Sequence, residues 1–202
     1  MIHNWVDPTR VEDPLYIRAT YFPVDWKSKV GNSDASANFK TDWENPIGKG
    51  DIIIRESGEL LMLTWDIKEH MNNQATQAQI CNLKLTLKRH VQAVADERGF
   101  VVTPAHDEDI LTDHPATFTP YAGRPDYIAS GNVPGINADS LMSGQIQFNE
   151  ATKRMTINDE FEYGGFTYRI TNVDWTEVNY DNTAGIINYN CKRVAGGMNA
   201  ID

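Results

Sequence analysis

Alternating apolar and polar positions recur along the chain and predict β-strands. Within residues 81–91, Leu83, Leu85 and Leu87 are apolar and the positions between them are polar. Because successive side chains of a strand point to opposite faces, this period of two predicts one buried and one solvated face. The apolar spacing of a helix is weak and is suggested only at 66–80. The chain is therefore expected to be mainly β.

Turn signals between apolar runs divide the predicted strands into hairpins. Gly58 and the pair Gly164-Gly165 supply the positive φ that tight hairpin turns need. The intervals from Trp65 to Cys81 and from Trp175 to Cys191 each span 16 residues and each follow a predicted hairpin, which chance or duplication of a small β unit would explain. The predicted fold is a small β-barrel or β-sandwich, with two similar β units as one form of it. Hairpin turns are predicted at 56–58, 149–152 and 164–165.

Two segments depart from this pattern. Residues 1–47 contain four prolines and are predicted to form a long irregular N-terminal arm, with the β domain at 48–202. Residues 103–140 contain five of the nine prolines and carry a net charge of -5, half of the total of -10. They are predicted to leave the domain as a Pro-rich loop insertion. This excursion is interpreted either as a solvated acidic loop or as a partner-binding arm.

Partner-binding residues are expected in these two segments. The aromatic residues of an arm have to pack against the protein's own core or against a neighbour, since water is a poor environment for them. In the acidic excursion, histidine and aspartate side chains offer polar contacts. The candidate partner-binding residues are Trp5, Tyr16, Tyr21, Trp26, Trp43, His106, Asp109, His114 and Tyr121.

Candidate chemistry is sparse. The stretch from His106 to His114 contains two imidazoles and four carboxylates, but its spacing matches no zinc pattern and lacks the Gly and terminal Glu of a calcium loop. Residues 48–51 resemble a phosphate loop only superficially, because they lead into a strand. Cys81 and Cys191 are expected to pack inside a sheet. No catalytic residue, metal or cofactor is predicted, and the chain is not expected to be an enzyme.

The charge balance limits the possible partners. The chain has 18 Lys and Arg against 28 Asp and Glu, which argues against a protein that grips nucleic acid by neutralising phosphates. Two cysteines are too few for a disulfide framework and fit a reducing cytoplasm. No apolar run approaches the roughly 20 residues of a membrane span, and the first residues carry no secretory signal pattern. No membrane partner is expected.

The segment 145–174 has a more specific pattern. It consists of an apolar strand, Asn149-Glu150-Ala151-Thr152, a short strand, a Phe-rich strand, Gly164-Gly165 and Tyr168-x-Ile170-x-x-x-Asp174, and 185–187 adds Gly-Ile-Ile. This pattern resembles the neck proteins of tailed bacteriophages, the head-completion or head–tail connector family. The resemblance covers roughly 48–100 and 142–194.

The resemblance implies a virion structural protein that assembles with itself as a ring. Such a ring joins the portal protein to a distal tail or neck protein and forms part of a conduit through which viral DNA passes without specific binding. The implied location is the neck of the virion, after assembly in the host cytoplasm. Three alternatives stay open: another tail structural component, a β-sandwich module that binds a receptor or carbohydrate, and a metal-dependent hydrolase at His106, Asp109, Asp113 and His114.

Overall fold

A computed structural model describes residues 2–5, 15–23, 36–42, 47–70, 73–119 and 142–194. These residues form fifteen strands, one 3₁₀ turn at Thr152–Arg154 and no α-helix. None of the described segments is a helix of the length and apolarity that a membrane crossing requires. The strands are β1 (Ile2–Trp5), β2 (Leu15–Pro23), β3 (Ser36–Asp42), β4 (Ile52–Ile54), β5 (Leu60–Leu63), β6 (Lys68–His70), β7 (Asn73–Ile80), β8 (Leu83–Val91), β9 (Val94–Ala95), β10 (Val101–Thr103), β11 (His106–Thr119), β12 (Met142–Gln147), β13 (Glu160–Tyr163), β14 (Phe166–Val178) and β15 (Gly185–Arg193).

The second half of the chain forms a closed barrel of six antiparallel strands. Their order is β11-β12-β15-β14-β13-β8. The predicted alternation on β8 is confirmed, since Leu85 and Leu87 are fully buried in the barrel core. Phe118 packs edge-on against Phe161 and Tyr168, with ring centroids 5.4 and 5.1 Å away. The mainly β fold with a small barrel is therefore confirmed.

The first half of the chain forms a curled sheet with its own core. Its order is β3-β2-β1-β4-β5-β7-β6, and β3 also pairs with β7. Phe39, Ile53, Leu61 and Leu63 are fully buried in this unit. Both β5 and β6 pair with β7, so they act as two halves of one interrupted strand.

The two units share one strand connectivity. We number the strands from 1 to 6 in chain order, taking β5 and β6 of the first sheet as one strand and counting only the six barrel strands in the second unit. The strands then pair in the cyclic order 1-2-3-6-5-4 in both units. The registers of the fifth and sixth strands agree as well. Leu61 pairs with Ile80 in the first unit, and Tyr168 pairs with Arg193 at the corresponding positions of the second. The chain thus contains two similar β units.

The turn that precedes the fourth strand is built with the same hydrogen bonds in both units. In the first unit, Gly50 has a φ of 92° and its N–H donates to the carbonyl oxygen of Leu63 at 2.7 Å. The carboxylate of Asp51 accepts from the N–H of Gly48 at 2.7 Å. The same contacts in the second unit join Asn158 to Ile170 at 2.9 Å and Asp159 to Thr156 at 2.8 Å.

The cores of the two units place their bulk on different strands. Phe39 and Thr76 are cross-strand partners in the first unit, and Gly144 and Tyr189 occupy the corresponding positions in the second. A Cβ on Gly144 would lie 2.3 Å from the ring of Tyr189, so the missing side chain makes room for the tyrosine. The large residue of the pair lies on the third strand in the first unit and on the sixth strand in the second. The repeat is therefore hard to recognise in the sequence.

The Trp–Cys spacing that suggested a duplication does not mark corresponding positions. In the shared register, Cys191 corresponds to Ala78, and Cys81 corresponds to Val194, just after β15. The equal intervals are therefore coincidental, and strand connectivity and the repeated turn are what relate the two units.

Residues 106–119 require a correction, because they form the barrel strand β11 instead of a loop. Pro115 is tolerated there since it lies just before the residues that pair with β12, so its missing N–H removes no bond on that side. Two bulges interrupt the pairing with β8, and Asp113 has a φ of 52°. The remainder of the predicted excursion, residues 120–140, lies outside the described residues.

Residues 1–47 also differ from an irregular arm wherever the structure describes them. They supply β1, β2 and β3 to the first sheet. Ala19 and Phe39 are buried in its core, because β3 is held between β2 and β7. The aromatic-rich start of the chain therefore belongs to a sheet in its described parts.

Two hairpin predictions are confirmed and two local predictions are wrong. The turns at 56–58 and 164–165 join β4 to β5 and β13 to β14. At 149–152 no hairpin forms, because β12 pairs with β11 and β15 and the chain continues into the 3₁₀ turn. The weak helical spacing at 66–80 belongs to strands β6 and β7.

Candidate functional site

The predicted aromatic contacts lie in the first sheet or outside the described residues. Trp5 is in β1, where it pairs with Ile53, and Tyr16 and Tyr21 are in β2. The structure does not gather these positions with the histidines of β11. Trp26, Trp43 and Tyr121 lie outside the described residues.

The candidates His106, Asp109 and His114 are spread along β11. The two histidines are eight positions apart, with seven residues between them, a distance of about 25 Å at the usual rise per residue of a strand. His106 and Asp109 are exposed, and Nδ1 of His106 lies 3.1 Å from the carbonyl oxygen of Pro104. Across the described ranges, no group of three or more His, Cys, Asp or Glu side chains is placed to hold a metal ion.

The acidic side chains of β11 face basic groups of the same barrel. Asp107 lies 3.0 Å from Nδ1 of His90 on β8, and Glu108 forms an ion pair of 2.6 Å with Arg154. Asp109 is in register with Lys88. Opposite charges on neighbouring strands stabilise an antiparallel sheet. Glu108 is thus paired with an arginine of its own barrel, and Asp109 lies opposite a lysine.

His114 has a structural role beside the 3₁₀ turn. Its Nε2 accepts from Nδ2 of Asn149 at 3.3 Å, which requires a neutral ring. Burial lowers the pKa of His114 to about 4. The side-chain oxygen of Asn149 accepts in turn from the N–H groups of Ala151 and Thr152, both at 2.9 Å. The Asn-Glu-x-Thr motif is therefore a folding motif, which His114 supports from β11.

A buried ion pair links β8 to the turn before β13. Asp159 is fully buried, and Arg89 approaches it with Nε at 2.7 Å from Oδ1 and Nη2 at 3.0 Å from Oδ2. The same Nη2 donates to the carbonyl oxygen of Arg154 at 2.8 Å. Such a bidentate arrangement satisfies both carboxylate oxygens in a fixed geometry.

This ion pair lies beside the weakest pairing of the barrel, which we call the β8–β13 seam. The two strands are in register at a single position, Lys88 with Glu160. A cavity of about 420 Å³ opens along the seam, and Phe161 contributes to its wall although its side chain is almost fully buried. The first unit has a short pairing at the corresponding place, where β1 and β4 pair at two positions. The cavity is lined by Lys84, Thr86, Lys88, His90, Asp107, Glu160, Phe161, Glu162 and Thr167.

Among the residues that the structure describes, the largest group of exposed apolar side chains lies on the hairpin of β9 and β10, residues 92–105, which we call the β9–β10 hairpin. Its large apolar side chains are each more than half exposed: Val94 at 56%, Phe100 at 70%, Val101 at 63% and Val102 at 67%. Soluble proteins seldom expose such residues together, and a concentration of them marks an interaction site.

The turn of the β9–β10 hairpin is well ordered by its own hydrogen bonds. The N–H of Asp96 donates to the carbonyl oxygen of Phe100 at 2.8 Å. Its Oδ1 accepts from the N–H groups of Arg98 and Phe100 at 2.9 and 2.8 Å. Gly99 adopts a φ of 85°. A two-stranded hairpin alone has only marginal stability in water, so these hydrogen bonds are what hold the apolar residues in a defined conformation.

The sequence predictions missed this hairpin as a binding surface. The signal is present as the turn Asp96-Glu97-Arg98-Gly99, followed directly by the apolar run Phe100-Val101-Val102. The strands are only two and three residues long, which is too short for a period-two pattern to stand out.

A second exposed feature is Trp65, whose side chain is 52% accessible. It lies at a cleft of about 270 Å³ on the first sheet, where Asn38, Lys40, Lys68 and Gln77 supply polar groups.

Comparisons with known proteins relate one part of the chain to a family. Residues 138–192 match the model of the YomX C-terminal domain. That family is phage-derived, and the match supports a phage protein. The matched residues include β12, β13 and β14 and nearly all of β15, whereas β8 and β11 precede them. The comparisons with curated proteins and with solved structures gave no match.

Proposed function

We propose that this chain is a structural protein of the phage neck, a ring-forming connector between the portal protein and a distal tail or neck protein. The phage-derived family match at 138–192 and the resemblance at 145–174 support this role. The observation that carries the proposal is the β9–β10 hairpin, because an ordered group of exposed apolar side chains requires a partner surface. The protein is assembled in the host cytoplasm and resides in the virion neck.

The proposed role is passive and involves no catalysis. The perturbed groups of the barrel have structural partners: Arg89 holds Asp159, and His114 accepts from Asn149. Burial raises the pKa of the Cys81 and Cys191 thiols to about 12, which keeps both protonated at neutral pH. A protonated thiol is a poor nucleophile. These features support a building block better than an enzyme.

The charge of the chain suits a DNA conduit. A net charge of -10 repels phosphates and avoids the salt-dependent binding that clusters of Lys and Arg produce. DNA is therefore expected to pass such a ring without being held. Purified protein should fail to retain duplex DNA in a gel-shift assay at physiological salt.

Assembly with portal complexes tests the proposal. Purified protein is mixed with portal rings, and the products are examined by sedimentation velocity and negative-stain electron microscopy. A closed ring seated on the portal is expected. The variant F100D/V102D should lose this assembly, whereas Y180D, which alters a fully exposed aromatic residue in another turn, should keep it. A protein that stays monomeric and ignores portals and tails would contradict the proposal.

Carbohydrate binding is a second candidate, and Trp65 is the observation that favours it. An exposed indole ring beside amide and ammonium groups matches the way that proteins stack on sugars and hydrogen-bond their hydroxyls. A glycan array tests this function. Binding that disappears in W65A and persists in Y180D would support it, and an array without signal would exclude it.

A further inference from the structure

We infer that the β9–β10 hairpin of one copy docks into the β8–β13 seam of a second copy, an inference that rests on the proposed ring. The chain carries both halves of the contact: an ordered apolar hairpin and, elsewhere on the same barrel, an open seam. A partner of a different sequence would require only one of these features. The presence of both on one chain favours a second copy as the occupant.

The seam offers the main chain of a strand to an incoming strand. β8 is paired with β11 from Leu83 to Val91, but its other edge meets β13 at Lys88 alone among the described residues. An incompletely paired strand accepts another strand through main-chain hydrogen bonds, as in β-augmentation. The cavity of about 420 Å³ falls within the range of roughly 300–1,000 Å³ of pockets that bury a ligand.

The charged side chains of the two surfaces are complementary. Phe161, whose side chain is almost fully buried, is the one apolar residue among those that line the seam, and the other lining residues are polar. Lys84 and Lys88 line the β8 side. Glu97 at the hairpin tip is negatively charged and can pair with these lysines in the docked complex.

The opposite side of the seam provides a second charge contact. Glu160 is already paired with Arg169 at 2.6 Å, whereas Glu162 is exposed on β13. Arg98 at the hairpin tip can therefore pair with Glu162. Because the Asp96 carboxylate is used within its own turn, Glu97 and Arg98 are the charged groups left to make contacts. Opposite charges at the two sides of the seam fix the orientation of the hairpin.

The two surfaces differ, so the contact is heterologous. The hairpin extends from the end of β8 toward β11, and the seam lies along the other edge of β8. A heterologous contact joins copies head to tail, and it closes into a ring when the rotation between copies permits. The inferred docking thus supplies the contact that the proposed ring needs.

Complementation between two variants tests the inference. The hairpin variant F100D/V102D keeps an intact seam, and the seam variant K84E/K88E keeps an intact hairpin. Each alone should associate roughly tenfold or more weakly than wild type, because the changes fall on the central contacts. An equimolar mixture should form a heterodimer and nothing larger, since only one productive contact remains. Native mass spectrometry measures these species.

A charge reversal guards against misfolding of the seam variant. Adding E97K to K84E/K88E should restore association, because opposite charges face each other again. Y180D should assemble as wild type does, and thermal unfolding monitors the fold of every variant. If the seam variants assemble as well as wild type, the docking is wrong and the ring proposal stands. If the wild-type protein stays monomeric with and without portals, both are wrong.

Discussion

Replacing Arg89 by alanine leaves the carboxylate of Asp159 buried without its counter-ion. In the native barrel, two nitrogens of Arg89 lie within 3.0 Å of the two oxygens of Asp159. After the replacement, this carboxylate keeps one of its described hydrogen-bond donors, the N–H of Thr156 at 2.8 Å from Oδ2. The barrel is therefore expected to lose stability.

The size of the loss follows from the exposure of the two partners. Removing one member of a buried ion pair costs about 3–5 kcal/mol. Asp159 is fully buried, but the Arg89 side chain is 34% exposed, so water can partly replace it. We therefore expect a loss at the lower end, about 3 kcal/mol in the free energy of unfolding.

Arg169 provides a matched control. It pairs with Glu160 at 2.6 Å, but both side chains are more than a third exposed, Arg169 at 40% and Glu160 at 35%. Exposed pairs contribute about 0–1 kcal/mol, so R169A should unfold close to wild type. Urea unfolding followed by circular dichroism and tryptophan fluorescence gives both free energies. Because the chain has two units, overlap of the two signals tests whether a single transition describes the unfolding.

A second variant separates the charge from the packing. In R89A/D159N the orphaned carboxylate is replaced by a neutral amide, so the double variant should be more stable than R89A alone. If R89A and R169A unfold within error of each other, Asp159 does not depend on Arg89 and the reasoning is refuted.

Further predictions concern His114 and the core of the barrel. The pKa of His114 is lowered to about 4, so the unfolded state binds the proton first and stability falls as the pH drops from about 6.5 to 4, by about 3 kcal/mol. Urea midpoints across this range should fall less in H114Q, and an unchanged pH slope would contradict the assignment. G144A should lower the melting temperature, because its Cβ would lie 2.3 Å from the Tyr189 ring and overpacking costs about 1–3 kcal/mol. The variant G144F/Y189T copies the Phe39–Thr76 pair and should be more stable than G144F alone, and an equal loss would argue against equivalent positions.

The parts of the fold that depend on local chemistry are predictable from the sequence. Gly58 and Gly164-Gly165 take up positive φ in their turns, and the hairpins they predict are present. The alternating leucines of β8 identify the inward face of the barrel for the same reason, since a period of two needs no knowledge of the neighbours.

The parts that depend on long-range pairing are not predictable in this way. The charges and prolines of 103–119 are typical of a loop, yet β8 supplies His90 and Lys88 opposite Asp107 and Asp109, and this pairing makes the segment a strand. The duplication is hidden for a related reason. The first unit has the large Phe39 opposite Thr76, whereas the second has Gly144 opposite the large Tyr189. The pattern of large residues along the sequence therefore differs although the strand connectivity is the same.

The candidate site was missed because exposure is a property of the folded chain. Phe100, Val101 and Val102 read as ordinary apolar residues, and only the structure places them on a hairpin that their own barrel leaves uncovered. Conversely, the aromatic residues of 1–47 suggested a binding arm, but the described part of that segment is sheet.

Amide hydrogen exchange over the β9–β10 hairpin tests the central claim most directly. Peptides covering residues 92–105 are followed in the free protein and in the product of mixing it with portal complexes, with the exposed Tyr180 turn as an internal reference. The account predicts that exchange at Val94 and at 100–102 slows upon assembly while the reference turn is unchanged. A ring that forms with unaltered exchange at these residues would contradict it.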